Sequence, residues 1–374
     1  MGYRMKSVIL GIVLCIMFPV MAYGNEDYSD LSDYDFSDIQ EILDEEGGVD
    51  FEETVKQIMS GEDSGGTGKI SEIISSTILY ELEKEKDVII KVLLIGLAAA
   101  MFSNISGAIL NGKISETGFY ITYLSLVVAL TAGYSVIASM VTRTMELLIE
   151  LMGAFVPVYI VSIGFSTGSN SAEAFYRVIV VVITLIEKIL LKVIIPMIYM
   201  YLITNIINNM ADGKLFSKTC ELIKTIVDWM LKGLLSFVIG INLIRGLINP
   251  IVDSIKMGTW GKVLSGIPGI GGALNSVSGI VLASGTLIKN AIGIGGVVAI
   301  AGICFVPVIK ALIVSLAYKL SGAMLEPVSD KRVVNSINSI YVSIVLLMKT
   351  LLYAVVFFLL TIAVICSSTN YNIS

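Results

Sequence analysis

The stretch Ile340–Cys366, IYVSIVLLMKTLLYAVVFFLLTIAVIC, decides how this chain is built. Its 27 residues carry a single charge, Lys349, and no glycine or proline. A helix needs about 20 apolar residues to cross the hydrocarbon of a bilayer. Thr350–Cys366 alone supplies 17, so Lys349 is expected to snorkel to the interface along its own methylene stem. Working outward, Val88–Leu110 and Phe119–Val141 are runs of the same kind. Leu147–Phe165 is interrupted by Glu150 and is expected to kink at Pro157. Phe175–Ile207 is too long for one simple span and contains Glu187, Lys188, Lys192 and Pro196, which reads as two half-helices or one long, broken, tilted helix. Asn208–Asp228 is polar and amphipathic, as an interfacial loop and helix would be. Trp229–Asn249 is apolar, and Gly293–Tyr318 holds a further span broken near Pro307.

The expectation is therefore an all-α, multi-pass membrane protein. It has about five to eight transmembrane or re-entrant helices with proline and glycine breaks. Composition agrees: 55% of the 374 residues are hydrophobic, 15% are charged and the mean hydropathy is +0.86. Soluble chains are about 45–50% apolar and about 25% charged, so a water-soluble enzyme is excluded. Histidine is absent, which removes the commonest general base and metal ligand and every Ser/His or Cys/His catalytic pair. The four cysteines, Cys15, Cys220, Cys304 and Cys366, form no CxxC pair, so neither a disulfide framework nor a zinc site is expected. The body's aspartates, Asp212, Asp228, Asp253 and Asp330, stand at edges or in loops, with no facing pair inside spans. An enzyme is the weakest class, and no catalytic residue, cofactor or metal is assigned.

Charge divides the chain into three parts. Residues 1–24 read as a signal peptide: Arg4 and Lys6 precede the apolar Val8–Val20, and Ala22-Tyr23-Gly24 places small residues at the two positions a signal peptidase inspects. An uncleaved first membrane helix is the other reading. Residues 25–87 carry 20 acidic and 4 basic side chains, a net −16. Residues 88–374, the helical membrane domain, carry +8. An acidic, extracytoplasmic tail thus precedes a mildly basic body, and nucleic acid is excluded as its partner because like charge repels phosphate. Three short amphipathic helices are expected in the tail. The first is Asp38–Glu46, with Ser37 as N-cap and Gln40 completing a capping box. The second is Asp50–Ser60, with Phe51, Val55, Ile58 and Met59 on one face. The third is Lys69–Lys86. Their apolar faces could meet a partner, the membrane lipid, one another or the body. The basic loops Arg245–Lys262 and Lys319–Arg332 are the best cytoplasmic segments.

Within the body, the positions that could line a conduit or break a helix are Pro157, Pro196 and Pro307, the charges Glu187, Lys188 and Lys192, and a glycine tract. The three prolines share a setting, in Phe155-Val156-Pro157-Val158, Ile195-Pro196-Met197-Ile198 and Phe305-Val306-Pro307-Val308. Repeated broken helices can mark a transporter. Lys188 and Lys192 share a helix face, and Glu187 lies about 100° around from Lys188. They either line a wet path or snorkel at the surface between two half-helices. The tract Gly258–Gly302 has 12 glycines in 45 residues, including Gly269, Gly271, Gly272 and Gly293, Gly295, Gly296. It is not a phosphate loop: Leu274 and Val298 stand where GxGxxG needs its last glycine, and every Gly-Lys pair is followed by Ile, Leu or Val. Close helix packing, or a re-entrant segment buried in protein, is the better reading.

One stretch resembles a known family. Leu287-Ile288-Lys289-Asn290-Ala291-Ile292-Gly293-Ile294-Gly295-Gly296 continues to Phe305-Val306-Pro307-Val308-Ile309-Lys310-Ala311-Leu312. It closes with Ala317-Tyr318-Lys319-Leu320 and Ala323-Met324-Leu325-Glu326-Pro327. This looks like the C-terminal half of the stage III sporulation protein AE family of endospore-forming bacteria. The layout of signal, exported polar segment and multi-span body is similar too. Glu326 departs from the amide side chain expected there. The resemblance implies a membrane core or permease-like part of the channel-like complex that joins the mother cell to the engulfed forespore. It implies a place in the outer forespore membrane, derived from the mother cell. It also implies companions: a secretion-type ATPase (stage III sporulation protein AA), the ring-forming proteins AG and AH, and stage II sporulation protein Q on the forespore side. An independent secondary transporter, with Glu187 and Lys192 as its charges, is the rival reading.

Overall fold

The computed structural model describes the backbone of residues 34–45, 50–60, 112–167, 170–210, 215–264 and 271–367, and scattered positions between 80 and 101. The leader, the first residues of the tail, Gly269, most of the expected third tail helix and most of Val88–Leu110 lie outside the described residues. Among the described residues there are only helices. In chain order they are α1 (Ser37–Glu45), α2 (Phe51–Ser60), α3 (Gly112–Thr167), α4 (Asn170–Ile189), a π-turn (Leu190–Ile194), α5 (Ile195–Met210), α6 (Ser217–Leu264), α7 (Gly271–Leu325) and α8 (Lys331–Ser367).

Three of these helices are long and apolar enough to cross a membrane: Tyr120–Phe155 in α3, Asn290–Leu325 in α7 and Lys331–Ala363 in α8. At 1.5 Å per residue a 36-residue helix runs about 54 Å, well beyond a hydrocarbon core of about 30 Å. The sequence windows cut these helices into shorter pieces than the fold does. Phe119–Val141 and Leu147–Phe165 are one helix, α3, which continues through Pro157. The intervening Thr142 and Thr144 return their hydroxyls to the carbonyls of Ala138 and Met140, so no polar group there forces a turn. Likewise α7 continues through Pro307, and Arg245–Lys262, read as a loop, is helical within α6.

Helix α8 is the hub. It pairs with α7 as an antiparallel hairpin and also packs on α3, α4, α5 and α6. The hairpin turn falls within Lys319–Arg332. Val328 and Ser329 donate to the carbonyl of Leu325, and Asp330 caps α8 by accepting from the Arg332 amide at 2.8 Å. A buried Tyr123 ties three helices together: its hydroxyl donates to the Ile206 carbonyl of α5 at 3.1 Å and shares a 2.7 Å bond with Ser336 of α8. Tyr123→Phe removes both bonds and keeps the ring. It is expected to lower stability by about 1–2 kcal/mol in detergent micelles, measured by thermal or SDS-driven unfolding. An unchanged stability would show that this hydroxyl does not join the helices.

The tail helices dock on the body. α1 packs on α3 with Ile39 and Leu43 buried, as is Phe36 just before it, and α2 packs on α7 with Phe51 and Val55 buried. The expected capping box does not form. The hydroxyl and amide of Ser37 both donate to Asp35, at 2.6 and 3.0 Å, and hold that carboxyl below the usual carboxylate range. Gln40 instead caps the next helix: its side-chain oxygen accepts from the Phe51 amide at 2.8 Å. Asp50 completes that cap by accepting from the Glu53 amide at 2.9 Å.

Candidate functional site

Two places gather the positions singled out from sequence. The first is a glycine notch in α7. Gly293, Gly295 and Gly296 are buried. A Cβ at Gly295 would lie 3.1 Å from the Phe51 ring and from Val55 of α2, and one at Gly296 would overlap the Phe155 ring of α3. Side chains from two other helices therefore occupy the space that these glycines leave empty. The rings form a relay across the joint: Phe36 to Phe51 at 5.4 Å, then Phe51 edge-on to Phe155 at 5.7 Å and 84°. Here the glycines act as packing positions, and α7 runs unbroken from Gly271 through Leu325. Gly271 and Gly272 begin that helix, away from the notch. Pro157 lies two residues past Phe155 with an exposed ring, while Pro307 is buried inside α7.

The second place is the π-turn between α4 and α5. Pro196 has no N–H to give the Lys192 carbonyl four residues back. The ladder widens just before it, and the Ile195 amide bonds to the Leu190 carbonyl five residues back. Of the two sequence readings, one long, broken helix is what forms. The charges then part. Glu187 is fully buried, whereas Lys188 and Lys192 are exposed, as is Pro196. Neither carboxyl oxygen of Glu187 has a hydrogen-bond partner among the described residues. The buried free thiol of Cys304 on α7 lies close enough to interact with it electrostatically. So the helix does not bring Glu187 and Lys192 into one pocket. Replacing Lys188 and Lys192 together by glutamine is expected to leave stability within about 0.5 kcal/mol, as at other surface positions. A larger loss on unfolding the variant would show that these lysines have partners.

One polar contact was not foreseen. Lys349 pairs with Asp228 of α6 at 3.5 Å, both partly buried, so its stem does not simply lead it out to the interface. Only the fold could show this, because the two residues lie far apart in sequence and on different helices.

With this geometry in place, comparison with known proteins decides the family. The family model described as Stage III sporulation protein AE matches residues 49–369. The chain belongs to the stage III sporulation protein AE family. The match takes in everything from the cap of α2 to the end of α8, so the docked tail helix α2 lies within the family's shared region. The Stage III sporulation protein AE of Bacillus subtilis (strain 168) is 22% identical over 319 residues, covering 85% of this chain and 80% of that protein. No solved structure matches the chain. The family stretch Leu287–Pro327 maps onto α7 and the hairpin turn, with Glu326 and Pro327 exposed at the tip. This member of the stage III sporulation protein AE family is thus a sporulation protein with a helical body fit for a membrane.

Proposed function

We propose that the chain is the membrane subunit of the channel-like complex between mother cell and forespore, required for forespore development after engulfment. Its helical body sits in the outer forespore membrane, and its acidic tail lies on the extracytoplasmic side. There the tail meets the ring proteins AG and AH and, through them, stage II sporulation protein Q. The ATPase, stage III sporulation protein AA, works from the mother-cell side. The observation that carries this reading is the family match across residues 49–369, which joins tail helix and membrane body in one unit.

The packing supports a scaffold role. The glycines are filled by Phe51, Val55 and Phe155, as a rigid joint requires. The rival reading, a self-sufficient secondary transporter, needs Glu187 and Lys192 at one substrate site, and those side chains point to different environments. The experiment is purification of the tagged full-length chain from sporulating cells in mild detergent. Recovery of the ring proteins and the ATPase with it is expected. A chain that comes down alone, from cells in which those partners are present, would contradict the proposal.

A further inference from the structure

Glu187 asks for an explanation that packing does not provide. It is 0% exposed, and neither carboxyl oxygen has a partner among the described residues. Other buried hydroxyls differ among themselves: Ser343, Thr350 and Thr361 each donate to the carbonyl four residues back, whereas those of Tyr134 and Ser321 have no partner among the described residues. The depth of Glu187 is gauged from Cys304, with which it interacts electrostatically. Cys304 stands 14 residues, about 21 Å, from Asn290 and 21 residues, about 31 Å, from Leu325, well inside the α7 span.

Among the described residues no charged group hydrogen-bonds to the carboxyl of Glu187. On α3, Arg143, Glu146 and Glu150 are exposed. Lys188 and Lys192, on its own helix and the π-turn, are exposed as well. On α8, Lys349 is held by Asp228. On α7, Lys310 is half-buried and makes no hydrogen bond to this carboxyl. An ionised carboxylate in such a place has no hydrogen-bond donor among the described residues, a state that membrane interiors tolerate poorly. Beside it the ladder widens into the π-turn that precedes Pro196, a feature frequent at functional sites.

We propose that Glu187 is a proton-binding site inside the membrane body, occupied in the packed state and able to exchange its proton at the π-turn. The site's ligand is the proton itself. The inference does not rest on the sporulation reading and is tested on the purified full-length protein, reconstituted in phosphatidylcholine–phosphatidylglycerol vesicles.

The probe is dicyclohexylcarbodiimide, which reaches carboxylic acids through the lipid. The acid O–H adds across one C=N bond to give an O-acylisourea. This rearranges to a stable N-acylurea with no group lost, and peptide mass mapping locates it. At pH 7 the Glu187 peptide is expected to be modified several-fold more than those of the exposed Glu146 and Glu150, because only the protonated acid adds to the carbodiimide and water solvates the exposed carboxylates. The modification should fall as pH rises and be unmoved by sodium chloride at fixed pH. Glu187→Gln should remove the adduct and leave the unfolding midpoint of the protein unchanged. An unmodified Glu187 peptide at pH 7 would overturn the proposal. So would protection by sodium at fixed pH, which would make this a metal-cation site.

Discussion

Gly296→Leu is expected to break the joint between the tail and the membrane body. No side chain fits at this position, because the Phe155 ring already occupies the place of the first side-chain carbon. That ring cannot swing away freely, since Phe51 is packed edge-on against it at 5.7 Å. Overpacking of a close-fitted core costs about 1–3 kcal/mol, and more where backbone must shift. Gly302→Leu is the matched control on the same helix, because a Cβ there meets nothing within 4 Å. Both substitutions change helix propensity alike, so their difference isolates the steric term. In micelles, SDS-driven unfolding should show a large loss for Gly296→Leu and a change within about 0.5 kcal/mol for Gly302→Leu. Equal effects would mean that the notch is not a joint.

Phe51→Ala attacks the same joint from the other side. Phe51 is 1% exposed, touches Phe36, Phe155 and the space over Gly295, and begins the helix that Gln40 and Asp50 cap. Truncating a buried phenylalanine costs about 3–5 kcal/mol. A ten-residue helix cannot hold itself on the body against that loss, since isolated helices this short are marginal in water. The expected result is release of α1 and α2, with the α3–α8 body still folded. Limited proteolysis reads this directly: cleavage within 34–60 should rise sharply while the body resists as before. Glu52→Ala, which removes only the exposed 2.7 Å pair with Lys56, should leave the cleavage pattern unchanged. The Phe51 and Gly296 substitutions should also be less than additive in combination, because one deletes and the other displaces a ring of the Phe51–Phe155 pair. Full additivity would place them in separate interactions.

How far the fold was legible depended on the kind of signal. Helical membrane character could be read directly, since runs such as Ile340–Cys366 admit no other structure. The faces of the tail helices were legible as well: spacing alone picked out Phe51 and Val55, which the structure buries. What those faces met was not legible, because an apolar stripe suits lipid, a partner or the body equally. The glycine tract had the same limit. Small residues announce a close approach, and only coordinates show that Phe51 and Phe155 make it.

Prolines misled in a physical way. Each was read as a break, yet a proline removes one hydrogen bond, and a packed helix can carry on without it. Pro157 and Pro307 lie within continuous helices, and only beside Pro196 does the ladder change register. The Glu187–Lys192 cluster was legible as a set of charges in apolar sequence. Its division into one buried acid and two exposed bases follows from the 100° step between neighbours and from which face α4 turns inward. The pairing of Lys349 with Asp228 had no local trace, because each residue alone satisfies a simpler reading.

The most direct test of the central claim is deletion of the gene in its host, with membrane-stained cells imaged through sporulation. Normal vegetative growth, completed engulfment and forespores that then shrink or stall are the predicted result. Sporulation that runs to completion, with a growth or uptake defect in its place, would contradict the account and leave the transporter reading standing.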